Sequence, residues 1–136
     1  MKIEGGCHCG HVTFTAEIDP ETASICHCTD CQTLSGSAFR TAVQTRPGTF
    51  QLRSGTPTLY VKTTAESGTK REHGFCPRCG TPIYATTIGG EPKTHSLRLG
   101  TLRQREEIAP TRQIWTRSRV GWLDGVAALA AVDKQG

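Results

Sequence analysis

Gly6-Cys7-His8-Cys9-Gly10 sets two thiols two positions apart between glycines, and the fold of this chain turns on what those thiols need. Residues i and i+2 of a regular strand point to opposite faces, so Cys7 and Cys9 can share a metal ion only where the backbone turns. The neighbouring Gly5, Gly6 and Gly10 permit that turn. Further along, Cys76-Pro77-Arg78-Cys79-Gly80 has the form of a zinc knuckle, with Gly80 placed to take the left-handed conformation that closes it. Two short chelate pairs match a closed four-thiolate site, so Cys7, Cys9, Cys76 and Cys79 are expected to hold one structural zinc.

The remaining three cysteines fall in Cys26-His27-Cys28-Thr29-Asp30-Cys31-Gln32. Three sulfurs at about 2.3 Å would leave the fourth tetrahedral position of a zinc ion to water, a substrate thiol or a ligand from elsewhere. Thr29-Asp30-Cys31-Gln32 also has the form of a helix capping box. Cys31 then lies in the first turn, where unpaired N–H groups and the helix dipole favour thiolate. The site is expected to be catalytic through Cys26, Cys28 and Cys31, giving two Zn2+ per chain. Five histidines offer completions: His8 and His27 sit within cysteine loops, whereas His73 and His95 are free to approach and close the site. A metal-free redox centre on the three thiols is the other alternative.

Composition supports metal over disulfides. Seven cysteines are an odd number, the loops are of chelating length, and the first residues lack the apolar core of a secretory signal. A cytoplasmic protein with no membrane association is therefore expected. The 136 residues suit one domain spanning 1–136, and aromatic content of only 6% is offset if zinc organises the loops. Net charge is +4, with Arg98, Arg103, Arg105, Arg112, Arg117 and Arg119 close together. Glu106 and Glu107 interrupt that cluster, and a nucleic-acid partner is not expected from so moderate a footprint.

Between the cysteine groups the chain reads as mainly β. Runs of strand-forming residues cover 11–17, 38–44, 49–53, 58–62, 71–75, 82–87, 95–99 and 113–116, separated by turns such as Asp19-Pro20, Pro47-Gly48 and Ser54-Gly55. Helix is expected in only two places: a short one from Thr29, stopped by Ser35-Gly36-Ser37, and a turn or two in the alanine-rich tail from Leu123 to Val132. Trp115, Trp122 and Tyr84 read as core positions.

Taken together, Gly6-Cys7-His8-Cys9-Gly10, the Cys26–Gln32 group followed by Ser35-Gly36-Ser37-Ala38-Phe39, Phe75-Cys76-Pro77-Arg78-Cys79-Gly80-Thr81, and Leu99-Gly100-Thr101-Leu102 strongly resemble the glutathione-dependent formaldehyde-activating family. The resemblance spans residues 3 to about 124. It implies an Mss4-like fold of coiled antiparallel β-sheets organised by zinc, with little helix. It implies a structural zinc on Cys7, Cys9, Cys76 and Cys79 and a catalytic zinc on Cys26, Cys28 and Cys31. It also implies a carbon–sulfur lyase that makes or cleaves S-(hydroxymethyl)glutathione from glutathione and formaldehyde. Many relatives carry acidic residues just after the Gly-Thr-Leu segment, where this chain has Arg103-Gln104.

Two other functions fit the same residues. One is a zinc-stabilised binding module for an anionic partner, with both metals structural. The other is a thiol carrier or redox sensor that exchanges with low-molecular-weight thiols. No Ser-His-Asp order, phosphate loop or paired-carboxylate motif is present.

Overall fold

The computed structural model describes residues 1–135, which form a mainly β protein. Ten strands run in chain order: β1 (Lys2–Gly6), β2 (Thr13–Glu17), β3 (Ser24–Cys26), β4 (Arg40–Gln44), β5 (Gln51–Ser54), β6 (Thr58–Lys62), β7 (Arg71–Phe75), β8 (Pro82–Thr87), β9 (His95–Arg98) and β10 (Arg112–Ile114). They make a three-stranded sheet in the order β1-β2-β5 and a seven-stranded sheet in the order β10-β3-β4-β9-β8-β7-β6. All pairings are antiparallel except β10 with β3, which is parallel. The sheets are antiparallel as expected but for that one edge pair, which arises because the chain reaches β10 only after crossing back from β9 at the far side of β4. Among the described residues no helix is long and apolar enough to cross a membrane.

The two sheets share one core. Phe14 and Ala16 face inward from β2, Val43 from β4, Tyr84 from β8 and Leu97 from β9. Phe50, just before β5, joins the sheets through its ring, 5.3 Å from Phe14, 5.2 Å from Tyr84 and stacked at 4.4 Å on His95. Strand residues alternate between this interior and the opposite face, as the twofold strand period requires. Tyr84 is buried as expected, but Trp115 is 40% and Trp122 63% exposed. Both tryptophans lie outside the seven-stranded sheet's interior, on the chain that follows β10.

The one α-helix, α1 (Thr29–Ser35), differs from the expected capping box by one position. Its N-cap is Cys28, whose sulfur accepts the N–H of Cys31, so a cysteine of the expected metal site takes the role assigned to Thr29. Gln32 is then one residue too deep to reach back to the cap. Its amide instead donates to the carbonyls of His27 at 2.8 Å and Ser118 at 3.0 Å. Gly36 ends the helix in the left-handed region at φ 68°. In the tail, a 3-10 helix over Gly121–Ala128 replaces the expected alanine-rich helix. Two strands are absent from the sequence reading: β1, with two charges and two glycines among five residues, and the three-residue β3.

Candidate metal centre

The four outer cysteines come from the turns of two hairpins. Cys7 and Cys9 lie between β1 and β2, and Cys76 and Cys79 between β7 and β8. The two turns are built alike. The N–H of Gly10 donates to the carbonyl of Cys7, as that of Gly80 does to Cys76, and both glycines are left-handed, at φ 81° and 79°. Backbone N–H groups point at sulfur: Val12 to Cys7 at 3.2 Å and Arg78 to Cys76 at 3.4 Å. Thr81 couples the hairpins, its hydroxyl accepting the N–H of His8 at 3.1 Å and lying 3.1 Å from the sulfur of Cys79. Those contacts from the Thr81 hydroxyl and N–H hold the Cys79 thiol down at about 5.

All four sulfurs lie within 4.8 Å of one another. Cys7 and Cys9 are 3.6 Å apart and Cys9 and Cys76 3.8 Å. Tetrahedral zinc with bonds of about 2.3 Å spaces its sulfurs by roughly 3.8 Å, so the donor set fits that ion.

Cys26, Cys28 and Cys31 form the second group, also within 4.8 Å of one another. Cys26 ends β3, Cys28 caps α1 and Cys31 sits in its first turn. The thiols share protons. A hydrogen bond from Cys31 holds Cys26 below the ordinary thiol value, and the same contact together with burial pushes Cys31 above it. Three sulfurs this close, one favouring thiolate, suit a soft divalent cation. Among the described residues no histidine or carboxylate joins them within that distance. His73, considered as the closing ligand, instead accepts a hydrogen bond at Nδ1 from Arg98, and His95 stacks on Phe50. His27 is 1% exposed; its Nε2 donates to Gln113 Oε1 at 2.7 Å, which anchors the cysteine loop to β10.

Two segments flank this group. After β10, Trp115 takes a left-handed conformation at φ 57°, the one such non-glycine residue among those described, at a cost of about 1–2 kcal/mol. The bend carries the chain over the start of α1, where the Gln32 bond to Ser118 holds it. Arg117 lies 5.0 Å over the Trp115 ring and pairs with Glu66 in the loop between β6 and β7 at 2.7 Å. A cavity of about 350 Å³ lies between these segments, lined by Cys28, Thr29, Thr64, Ser67, Trp115 and Arg117. Asp30 at its edge is kept ionised by the Thr64 hydroxyl and by Lys62, 3.1 Å away.

The family model for glutathione-dependent formaldehyde-activating enzyme matches residues 2–118. The chain belongs to that family. The matched span takes in all seven cysteines and the Trp115–Ser118 bend of this family member, leaving Met1 and the tail outside. A crystal structure of a Rhodobacter sphaeroides protein is similar to it with a TM-score of 0.60 at 20% identity, over 81% of this chain and 98% of that one. At that identity the likeness shows the fold alone. No curated protein matches the chain.

Of the six arginines between 98 and 119, only Arg98 lies against the interior beside the cysteines. Arg103 pairs with Glu4 at 3.3 Å, Arg119 with Asp124 at 2.7 Å, and Arg105 bonds the Leu102 carbonyl. Arg103-Gln104, the departure from many relatives, serves the β1 edge: Gln104 also accepts the N–H of Glu4. Arg40 escaped the sequence reading because it stands outside any motif. The pairing of β3 with β4 sets it directly opposite Cys26.

Proposed function

We propose that this single-domain protein is a carbon–sulfur lyase-type enzyme holding two Zn2+. Cys7, Cys9, Cys76 and Cys79 hold a structural ion, and Cys26, Cys28 and Cys31 hold a catalytic one. The substrates are a glutathione-like thiol and a small aldehyde such as formaldehyde, in the reducing cytoplasm where such thiols persist. The observation that carries this reading is the three-sulfur group with no fourth protein donor among the described residues, set beside a cavity of about 350 Å³. A bound zinc ion lowers the pKa of a thiol placed at its open position and keeps it nucleophilic.

The chain's own residues do the rest. Cys28, shared between the metal group and the cavity wall, sets where a substrate thiol enters. Trp115 and Arg117 offer an aromatic face and a cation to a peptide-like thiol, and the Thr29, Thr64 and Ser67 side chains supply hydroxyls for its amides. In the forward direction the thiol sulfur bonds to the aldehyde carbon, and the proton lost by the thiol ends on the carbonyl oxygen. The product is an S-hydroxymethyl adduct, no electrons change hands, and the reverse reaction releases the aldehyde. Family membership supports the pairing of glutathione with formaldehyde.

The test uses protein purified without chelator, with metal counted per chain, and a cobalt-substituted sample titrated with glutathione. Two metals and a new thiol-to-cobalt absorption support the reading. Adduct formation from glutathione and formaldehyde must also outrun the uncatalysed reaction and fall to its rate in Cys31→Ser. Two metals that ignore glutathione would sink it and favour a binding module; mixed-disulfide formation with metal release would favour a thiol carrier.

A further inference from the structure

Beside the three-cysteine group, on the other flank of α1 from Cys28, lies a second cavity of about 390 Å³. Its walls are apolar and aromatic, including Leu34, Tyr60 and Phe75, yet two guanidinium groups, Arg40 and Arg98, line it as well. Strand register explains why these charges meet the cysteines. Cys26 pairs with Arg40; Arg40 and Ala42 share a face of β4; Ala42 pairs with Arg98. The same face continues through Ser96 and Ala85 to His73 and Tyr60. One thiol, two guanidiniums and an imidazole therefore line up across five adjacent strands and the edge beyond them.

The arginines lack anionic partners. Arg40 is 6% exposed, and no ion pair or side-chain hydrogen bond satisfies it among the described residues. Arg98 donates to His73 Nδ1 at 3.3 Å, while its Nε is buried without a partner. Four carboxylate pairs stand among the described residues, Lys62–Asp30, Arg103–Glu4, Arg117–Glu66 and Arg119–Asp124, and neither arginine takes part. Burial, then the charges of Arg98, Arg40, Lys62 and Arg71, push His73 down to about 4, so the imidazole accepts from Arg98 and leaves the positive field intact. The cysteines do not cancel that field. Three thiolates on a divalent ion sum to one negative charge, and the two guanidiniums carry two positive ones. A buried, unpaired guanidinium is costly to keep, and its planar fork suits a carboxylate.

We propose that Arg40 and Arg98 form a carboxylate-binding site, and that this cavity takes an organic acid whose apolar body packs on Leu34, Tyr60 and Phe75. Both oxygens of the carboxylate are met by guanidinium N–H groups, and the aromatic walls exclude water from the pair. The site is distinct from the thiol entrance beside Cys28, and its ligand needs no sulfur.

The test is calorimetric titration of the zinc-loaded protein with 3-phenylpropanoate and, separately, with the uncharged 3-phenylpropan-1-ol. The acid is expected to bind one per chain, and the alcohol at least about tenfold more weakly, as expected for the loss of charge-assisted hydrogen bonds. Arg40→Gln and Arg98→Gln should each weaken the acid about tenfold and leave the alcohol unchanged. Equal binding of acid and alcohol, or full acid binding in both variants, overturns the site. Should either glutamine variant lose zinc or its far-UV circular dichroism, Arg40→Lys decides: weakened acid binding in the folded, metalled variant supports the fork, and unchanged binding overturns it. Because the probes carry no thiol, acid binding without thiol-dependent turnover leaves this site standing and removes the lyase. Turnover with no preference for the acid does the reverse.

Discussion

Cys7, Cys9, Cys76 and Cys79 hang from the turns of two separate hairpins, whereas Cys26, Cys28 and Cys31 ride one continuous segment from β3 into α1. The first group is wrapped in its own backbone. Val12 and Arg78 donate N–H groups to sulfur, the carbonyls of Cys7 and Cys76 are taken by Gly10 and Gly80, and the Thr81 hydroxyl bridges one hairpin to the other. The second group looks outward, with a cavity on either side of α1, a strained tryptophan bend above it and, beside it, two guanidiniums that have no anionic partner among the described residues. The contrast separates two uses of the same thiol. Where ligands come from distant parts of the chain, a metal ion cross-links the fold and adds its binding energy to folding. Where they come from six consecutive residues, an ion would constrain little that the chain has not already ordered, and on the proposed reading its chemistry is left for a substrate.

Removing a ligand from each group should break the symmetry most visibly. Cys76→Ser is expected to lose cooperative unfolding and most strand signal, because a structural zinc site can contribute on the order of 10 kcal/mol to folding. Cys28→Ser should keep both, and thermal melts followed by circular dichroism would tell them apart. Equal damage from the two substitutions would mean that the groups act as one scaffold.

Next in size is the kinetic effect of Cys31→Ser. It should lower thiol-dependent adduct formation by more than about 100-fold, beyond what losing a supporting contact around a metal costs, while one metal per chain remains. Loss of both metals in an elemental assay would erase the distinction.

A smaller effect is expected at Gln32, whose amide holds both the His27 carbonyl and Ser118 of the bend. Gln32→Ala should cost about 1–3 kcal/mol in a urea titration by freeing two carbonyls. On dialysis it should release metal from the three-cysteine group first. Unchanged stability and metal retention would show that the bend is held by its other contacts.

The mildest test concerns acid. Burial, with nearby cations, pushes His73 and His95 down to about 4 from an ordinary 6.5. Between those values the unfolded chain binds protons that the folded chain refuses, so stability present above pH 6.5 is lost as the pH falls toward 4. After solvent screening the two rings together are worth on the order of 1–2 kcal/mol. Replacing both with glutamine should flatten the fall in urea midpoint between pH 7 and 5 relative to the parent. An equal slope in both proteins would place the acid sensitivity elsewhere, in the thiolate groups.

The division of seven cysteines into four and three was legible because chelation is local: one residue between Cys7 and Cys9, two between Cys76 and Cys79, three thiols within Cys26–Cys31. Strand content was legible too, and β6, β7 and β8 match the expected spans because each is bounded by turn residues. The register was not. β1 and β3 carry no alternation to read, and β10 joins β3 in parallel from a remote part of the chain. The tryptophans misled because large apolar residues usually bury, yet Trp115 and Trp122 lie on the chain beyond the last strand.

By itself, then, the sequence determined which residues can grip metal, since ligand spacing and glycine placement act over a few bonds. Only the tertiary structure decided what surrounds each cysteine group. His73 and His95 turn away from Cys26, Cys28 and Cys31. Arg40 and Arg98 arrive beside Cys26 through the pairing of three strands. Such neighbours are set by register, and register depends on burying one face of every strand at once, a condition that no local stretch of residues contains.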